Sequence, residues 1–245
     1  MEPHYDLDKI KFATDRPTFE RAVKLYESGK VTKFTAAEFG FSASVIGSES
    51  SPYEVYVSAK HYDEGTCTCY LGQNDTLCKH MVAVALYAVI GGRKLSAEEK
   101  EHVKEPVCSG RRGSLNGEEL KVTKGAISAA MRYIKPYEGP SRIWFAYQDS
   151  LIEGCNRLTK IVSDLPVSQQ TSKLLVNLLL RLDKKLSHGG VDDSDGTVGG
   201  FIESVVEVLK EYAKIEPNCL STFELLKDRE TCFGWEESLV ELLDH

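Results

Sequence analysis

The amino-acid sequence predicts an α+β protein. A small N-terminal module, built from a short antiparallel sheet plus helices, is stapled by a Cys/His cluster, and an all-α helical bundle or short helical-repeat stack follows it. Three observations carry this. Apolar residues alternate with polar ones in Phe39-x-Phe41-x-Ala43-x-Val45 and Tyr53-x-Val55-x-Val57-x-Ala59, the period of a half-buried strand. From Glu118 onward the apolar period becomes that of a helix. Between these regions Cys67, Cys69, Cys78 and His80 fall within fourteen residues.

Taken in order, Asp15 and Pro17 open, and Gly29 closes, a helix with Phe19, Ala22, Val23 and Tyr26 on one face. Val31–Ala36 is the weakest of three strand-like runs. The Ser-rich stretch Gly47–Pro52 turns between the other two. An apolar run, Met81–Ile90, ends at Gly91 and Gly92 as a helix does. Residues 1–92 thus form one module. Residues 93–117 are polar, are punctuated by Gly110, Gly113 and Gly117, and read as a linker or mobile loop. Residues 118–245 form a helical domain, with helices expected at Glu118–Lys135, Ser141–Val162, Thr171–Leu186, Phe201–Ile215, Ser221–Asp228 and Trp235–Leu243. Ser221 with Glu224 fits a capping box.

Cys67, Cys69, Cys78 and His80 are spaced as C-x-C, eight residues, C-x-H. Three thiolates and one imidazole fill a tetrahedral zinc ion (Zn2+), and a filled shell marks a structural metal, since a catalytic zinc keeps one position open. Thiolate-rich sites also take iron or cuprous copper, but three sulfurs with one nitrogen favour zinc. Residues i and i+2 of a strand share a face, so Cys67 and Cys69 reach one ion from a strand or hairpin arm. The same rule places Cys78 and His80 in non-helical backbone just ahead of Met81. The loaded site carries about −1, offset by Lys79 and by the N-terminus of the following helix. Cys108, Cys155, Cys219 and Cys232 lack ligand-type neighbours and read as small apolar residues.

This array, preceded by β-rich sequence and continued by "CKHMVAVALYAV", resembles the SWIM zinc finger over about residues 30 to 92. The resemblance implies a module that binds DNA or proteins. No nuclease, ATPase or kinase signature accompanies it.

Charge narrows the partner. The net charge is −7, and residues 151–245 carry ten Lys+Arg against seventeen Asp+Glu. Such an acidic part repels phosphate and is expected to meet protein. Lys121, Lys124, Arg132 and Lys135 share one helix face, with Arg111 and Arg112 upstream. Together with Lys79 they are the residues expected to contact nucleic acid, the alternative being a solvated helix face. Tyr53, Tyr56, Tyr62 and Tyr70 interleave with Lys33, Lys60, Lys79 and His61, a pattern suited to base stacking and equally to half-buried strand tyrosines. Asp192, Asp193 and Asp195 lie in an Asp/Gly loop, 188–200, that fails the EF-hand spacing and reads as successive turns.

The resulting expectation is a non-enzymatic, cytoplasmic protein with no membrane span, whose partners are DNA or a nucleic-acid-associated protein. A protein-only adaptor is the alternative, with the acidic helices recognising the partner. A metal-dependent hydrolase built on the Asp loop is the weakest reading, because no linear motif supports it.

Overall fold

The computed structural model describes residues 2–101, 105–139 and 144–244. The chain divides into two compact units at His102/Val103.

The first unit opens with two helices, α1 (Leu7–Ala13) and α2 (Arg16–Glu27). Sequence reading missed α1, which is too short to show a period. Asp6 caps it by accepting from the Lys9 N–H at 2.7 Å, and it buries Ile10 and Phe12. Asp15 caps α2 in the same way, through the Thr18 N–H, as the Asp15/Pro17 signal predicts.

Four strands follow: β1 (Val31–Ala36), β2 (Gly40–Val45), β3 (Tyr53–Ser58) and β4 (Gly65–Cys67). They form an antiparallel meander in the order β1-β2-β3-β4. The register between β1 and β2 shifts between Thr32 and Thr35, where Lys33 has φ 51°. That bulge is why the alternation of β1 is blurred. Phe41, Ala43, Val45, Val55 and Val57 face inward, whereas Glu54, Tyr56 and Ser58 between them are exposed or half-buried.

Helix α3 (Lys79–Ile90) packs on the inward face and against α2, with Val82, Ala83, Val84, Ala85 and Leu86 completely buried. Each such aliphatic side chain stabilises the fold by roughly 1.5–3 kcal/mol for Val and Leu. A helix covered on all sides has no amphipathic stripe, which is why this run reads as uniformly apolar.

The segment read as a linker is fastened at both ends. Residues 93–101 belong to the first unit: the Tyr26 hydroxyl donates to the Arg93 carbonyl, Leu95 is buried, and Lys100 pairs with Glu27 beside α4 (Ala97–Lys100). Residues 105–116 belong to the second: Val107 N–H donates to Ser163, Ser109 to the Leu165 carbonyl, and Val167 N–H to the Arg111 carbonyl. Residues 102–104 lie outside the described residues.

The second unit contains α5 (Gly117–Ala130), α6 (Trp144–Asp164), α7 (Gln169–Ser187), α8 (Thr197–Ile215) and α9 (Glu237–Val240). Its core joins Ile134, Leu151, Leu158, Val162, Leu175, Leu179, Leu182, Ile202, Val205, Leu209 and Tyr212. Helix α8 packs against both α6 and α7.

Several boundaries differ from expectation. Helix α5 ends at Ala130, with Arg132 and Tyr133 bonded three residues back, so Lys135 lies beyond it. The first residues of the expected helix 141–162, 141–143, lie outside the described residues. Helix α8 begins four residues early because the Asp193 carboxylate accepts from the Val198 and Gly199 N–H groups. The Ser221/Glu224 capping box does not form. Pro217 starts a 3-10 helix over Pro217–Leu226, and the Ser221 hydroxyl donates to the Asn218 carbonyl instead. The expected helix Trp235–Leu243 is only α9 and a 3-10 turn, Glu241–Leu243. No helix among the described residues is long and apolar enough to cross a membrane.

Helix α6 meets the turn after α5 at Gly154. A Cβ there would sit 2.8 Å from Ile134 Cγ1 and 3.1 Å from Tyr133 Cβ. Alanine normally gains about 0.5–1 kcal/mol over glycine in a helix, yet here overpacking costs about 1–3 kcal/mol. Gly154→Ala is therefore expected to lower the denaturant midpoint of the chain, whereas Gly125→Ala in α5, where the added methyl meets nothing within 4 Å, raises it.

Candidate metal centre

The four ligand-type residues converge from a strand end and a helix start. Cys67 closes β4, held opposite Val55 by the sheet register. Past it the chain leaves the sheet: Thr68 N–H donates to the Glu54 carbonyl, and Cys69 N–H and Gly72 N–H approach the Cys67 and Cys69 sulfurs at 3.5 and 3.4 Å. The return is tight enough that a Cβ on Gly72 would lie 2.5 Å from the Cys67 Cβ and carbonyl oxygen. Only glycine fits this approach. A 3-10 turn over Gly72–Asn74 and a left-handed Asp75 then lead to the second ligand pair.

Here the structure corrects the sequence reading. Cys78 is the extended N-cap of α3, but His80 is inside the helix, at its second residue, rather than in non-helical backbone. The reason is electrostatic and geometric. The free N–H groups of a helix's first turn favour negative charge, so thiolates gather there, and the imidazole is long enough to reach them from the first turn.

All four ligand atoms lie within 4.8 Å of one another, and all four residues are buried. The His80 Nδ1 is 3.7 Å from the Cys67 sulfur and 3.8 Å from the Cys78 sulfur. Ligand bonds of ~2.3 Å for sulfur and ~2.0–2.1 Å for nitrogen around a tetrahedral zinc imply S···N separations of ~3.6 Å. The donor set therefore fits that ion, with Nδ1 as the imidazole ligand. The outer nitrogen, Nε2, is buried with no hydrogen-bond partner among the described residues. The ring is instead held by stacking on Tyr53, with centroids 4.3 Å apart. Nothing in the spacing of the motif announces Tyr53 as the residue that orients the ligand.

The thiols polarise one another. A hydrogen bond from Cys67 drops the Cys78 pKa to about 4, with His80 and the Met81 N–H contributing. The same bond, followed by burial, holds Cys67 far above the usual thiol range.

The residues expected to touch nucleic acid are divided. Lys79 is half-exposed at the first position of α3, in the first unit. Lys121 and Lys124 are exposed on α5, and Arg132 and Lys135 are exposed beyond its end. Arg111 and Arg112 are exposed, but their guanidinium groups donate to the Asp164 and Ile215 carbonyls and bind residues 109–113 to the helices. The tyrosine pattern is also redistributed: Tyr53 and Tyr62 are buried, Tyr56 is half-buried, and Tyr70 alone of the four is exposed. In the Asp/Gly loop, Asp192 binds Ser194, Asp193 caps α8 and Asp195 binds Thr197, so these carboxylates shape turns. Of the four isolated cysteines, Cys155 and Cys219 are buried, Cys108 is half-buried and Cys232 is exposed.

Residues 53–88 match the SWIM zinc finger family. No curated protein and no solved structure matches the chain.

Elemental analysis of protein purified without chelator is expected to give one zinc per chain, lost in Cys78→Ser and in His80→Ala. Metal binding displaces thiol protons, so the apparent zinc affinity falls as the pH is lowered. A competition titration with a chromogenic chelator at several pH values reads this directly. Chelator treatment of the wild-type chain should collapse hydrogen-exchange protection in β4 and the first turn of α3 before that of α7 and α8.

Proposed function

We propose that the chain is a non-enzymatic zinc-finger protein whose Cys67, Cys69, Cys78 and His80 hold a structural zinc, and whose metal-fixed loop contacts DNA or a nucleic-acid-associated protein. When bound, zinc supplies a closed tetrahedral staple. The protein's own residues do the recognising.

One observation carries this reading. The ligands are buried, yet the loop between the second and third of them turns two apolar side chains outward: Tyr70 is 80% exposed and Leu71 46% exposed. Exposing an aromatic ring and a leucine beside a site that rigidifies their backbone has no packing rationale. It supplies a preorganised stacking platform instead, and Lys79 at the other end of the ligand loop adds a cation. The hydroxyl and amide groups of Gln73, Asn74 and Thr76 are engaged with the loop's own carbonyls, which stiffens it further.

A second observation supports the protein-only adaptor. A groove beside α8 is lined by Glu203, Glu207, Gly234, Ser238 and an exposed Phe233. An aromatic rimmed by carboxylates suits a polypeptide partner rather than a phosphate chain.

Fluorescence anisotropy with labelled single- and double-stranded oligonucleotides separates the two. Under the nucleic-acid reading, Tyr70→Ala weakens single-strand binding about 5- to 150-fold, the equivalent of ~1–3 kcal/mol per stacked base, while the variant keeps its zinc. An absence of binding to either oligonucleotide at low salt would leave the adaptor reading standing.

A further inference from the structure

We propose that α5 and α7 together form a second, independent phosphate-binding platform in the helical unit, with Lys173, Arg181 and Lys184 joining Lys121, Lys124, Arg132 and Lys135, and that its partner is the sugar-phosphate backbone of a nucleic acid. The inference shares with the preceding reading only the chemical class of the partner. It involves different residues and needs neither the metal nor Tyr70.

The geometry comes from three cross-links that no periodicity in the sequence foretells. At the start of the two helices, Gln170 exchanges hydrogen bonds with both the N–H and the carbonyl of Leu115, at 3.0 and 3.2 Å. Midway, the Arg181 guanidinium stands 3.5 Å from the Ser128 hydroxyl. At the far end, the Lys185 ammonium donates to the Ile134 carbonyl at 2.6 Å. Residues 115, 128 and 134 thus meet 170, 181 and 185 in order, so the segment 115–134, which contains α5, runs in the same direction as α7 and is tied to it by long side chains.

That alignment brings two basic stripes together. On α5, Lys121, Lys124 and Ser128 follow one another at three- and four-residue steps, and Arg132 stands in the turn just beyond the helix end. On α7, Lys173, Asn177 and Arg181 do the same, continued by Lys184. All of these residues are exposed. None of the cations has an ion-pair partner among the described residues, whereas on α8 Lys210 and Lys214 are paired with Glu207 and Glu211. The sole acid of α7, Asp183, is committed to the Cys232 N–H and the Trp235 indole. Of the α5 acids, Glu119 is committed to the Asn116 N–H, and Glu118 sits at the extreme end, in the first turn.

Cations in the last turn of a helix need no partner, since they offset the dipole, and this accounts for Lys184 and Lys185. It does not account for Lys173 and Arg181, which lie further in. Burial and then the nearby Arg181 charge hold the Lys185 ammonium below its usual pKa. The span from Lys121 to Arg132, like that from Lys173 to Lys184, is eleven residues, or ~16 Å. Laid along a duplex axis, that length covers about five base-pair steps, at ~3.4 Å of axial rise per phosphate of one strand.

The acidity of the chain does not oppose this surface. Residues 151–200 balance at six cations and six acids, whereas residues 201–245 carry four against eleven, which is −7. The repulsion assigned to the whole C-terminal part belongs to α8 and the segment after it.

The test uses the 245-residue, zinc-loaded chain and a labelled duplex of about 20 base pairs, with affinity measured from about 50 to about 300 mM salt. Lys173→Ala/Arg181→Ala is expected to weaken binding at low salt by about 10- to 100-fold and to reduce the log–log salt slope by about 2, since each duplex phosphate contact contributes ~0.9. Arg181→Lys, which keeps the charge, should retain the slope, and Lys214→Ala on α8 serves as the control that changes nothing. An unchanged slope in the double variant overturns the platform. So does transfer of the Arg181 dependence to anionic phospholipid vesicles or polyglutamate with none for the duplex. If Tyr70→Ala abolishes binding while the double variant does not weaken it, the platform falls and the zinc-loop reading stands. The reverse pattern leaves the platform and removes the loop.

Discussion

The first unit depends on bringing three sulfurs and one imidazole nitrogen within 4.8 Å of one another in a buried site. Without a cation, that convergence is costly: thiolates repel, and burial penalises each charge. The chain offsets the cost locally by placing Cys78 and His80 at the start of α3, where the helix offers unpaired N–H groups and positive potential. The rest of the unit follows from this placement. The β4 strand needs only three residues because its task is to deliver Cys67, and α3 is sunk against the sheet so that His80 can turn back over Tyr53.

The same constraint explains the exposed loop. In the proposed loaded state, a closed metal shell would substitute for the hydrophobic core that so short a segment cannot build, which leaves Tyr70 and Leu71 free of packing duty. The second unit works on a different principle. Its stability comes from helices whose stripes of Leu, Val and Ile interlock, and its long segments are pinned by side chains of Arg111, Arg112, Gln170 and Lys185 reaching backbone carbonyls. Arg111 and Arg112, which read as free binding groups in one dimension, are therefore structural in three.

Charge is distributed with similar economy. The cations of α8 are matched to acids one turn away, so that helix contributes little external field. Among the described residues the cations of α5 and α7 have no such partners, and side-chain hydrogen bonds tie the two segments together. Net charge over a hundred residues says little about a surface, because the field at a site is set by the nearest unpaired groups.

The sequence by itself determined the ligand set, the two alternating strands, the capped helix opened by Asp15 and the long apolar helices, since each is written in neighbours a few residues apart. It also resolved the Asp/Gly loop into turns, because Asp side chains bond backbone two or more residues on. Helix boundaries were less legible: the Asp193 cap, the Pro217 start and the tightened end of α5 each hinge on a competition between local hydrogen bonds that periodicity does not register. Only the tertiary structure decided that Nδ1 of His80 faces the sulfurs, that Tyr53 orients the ring and that Arg181 sits on Ser128. Apart from the Cys78–His80 approach, these are contacts between residues from thirteen to more than fifty positions apart, and a chain carries no local pattern for pairs that meet only when distant elements pack.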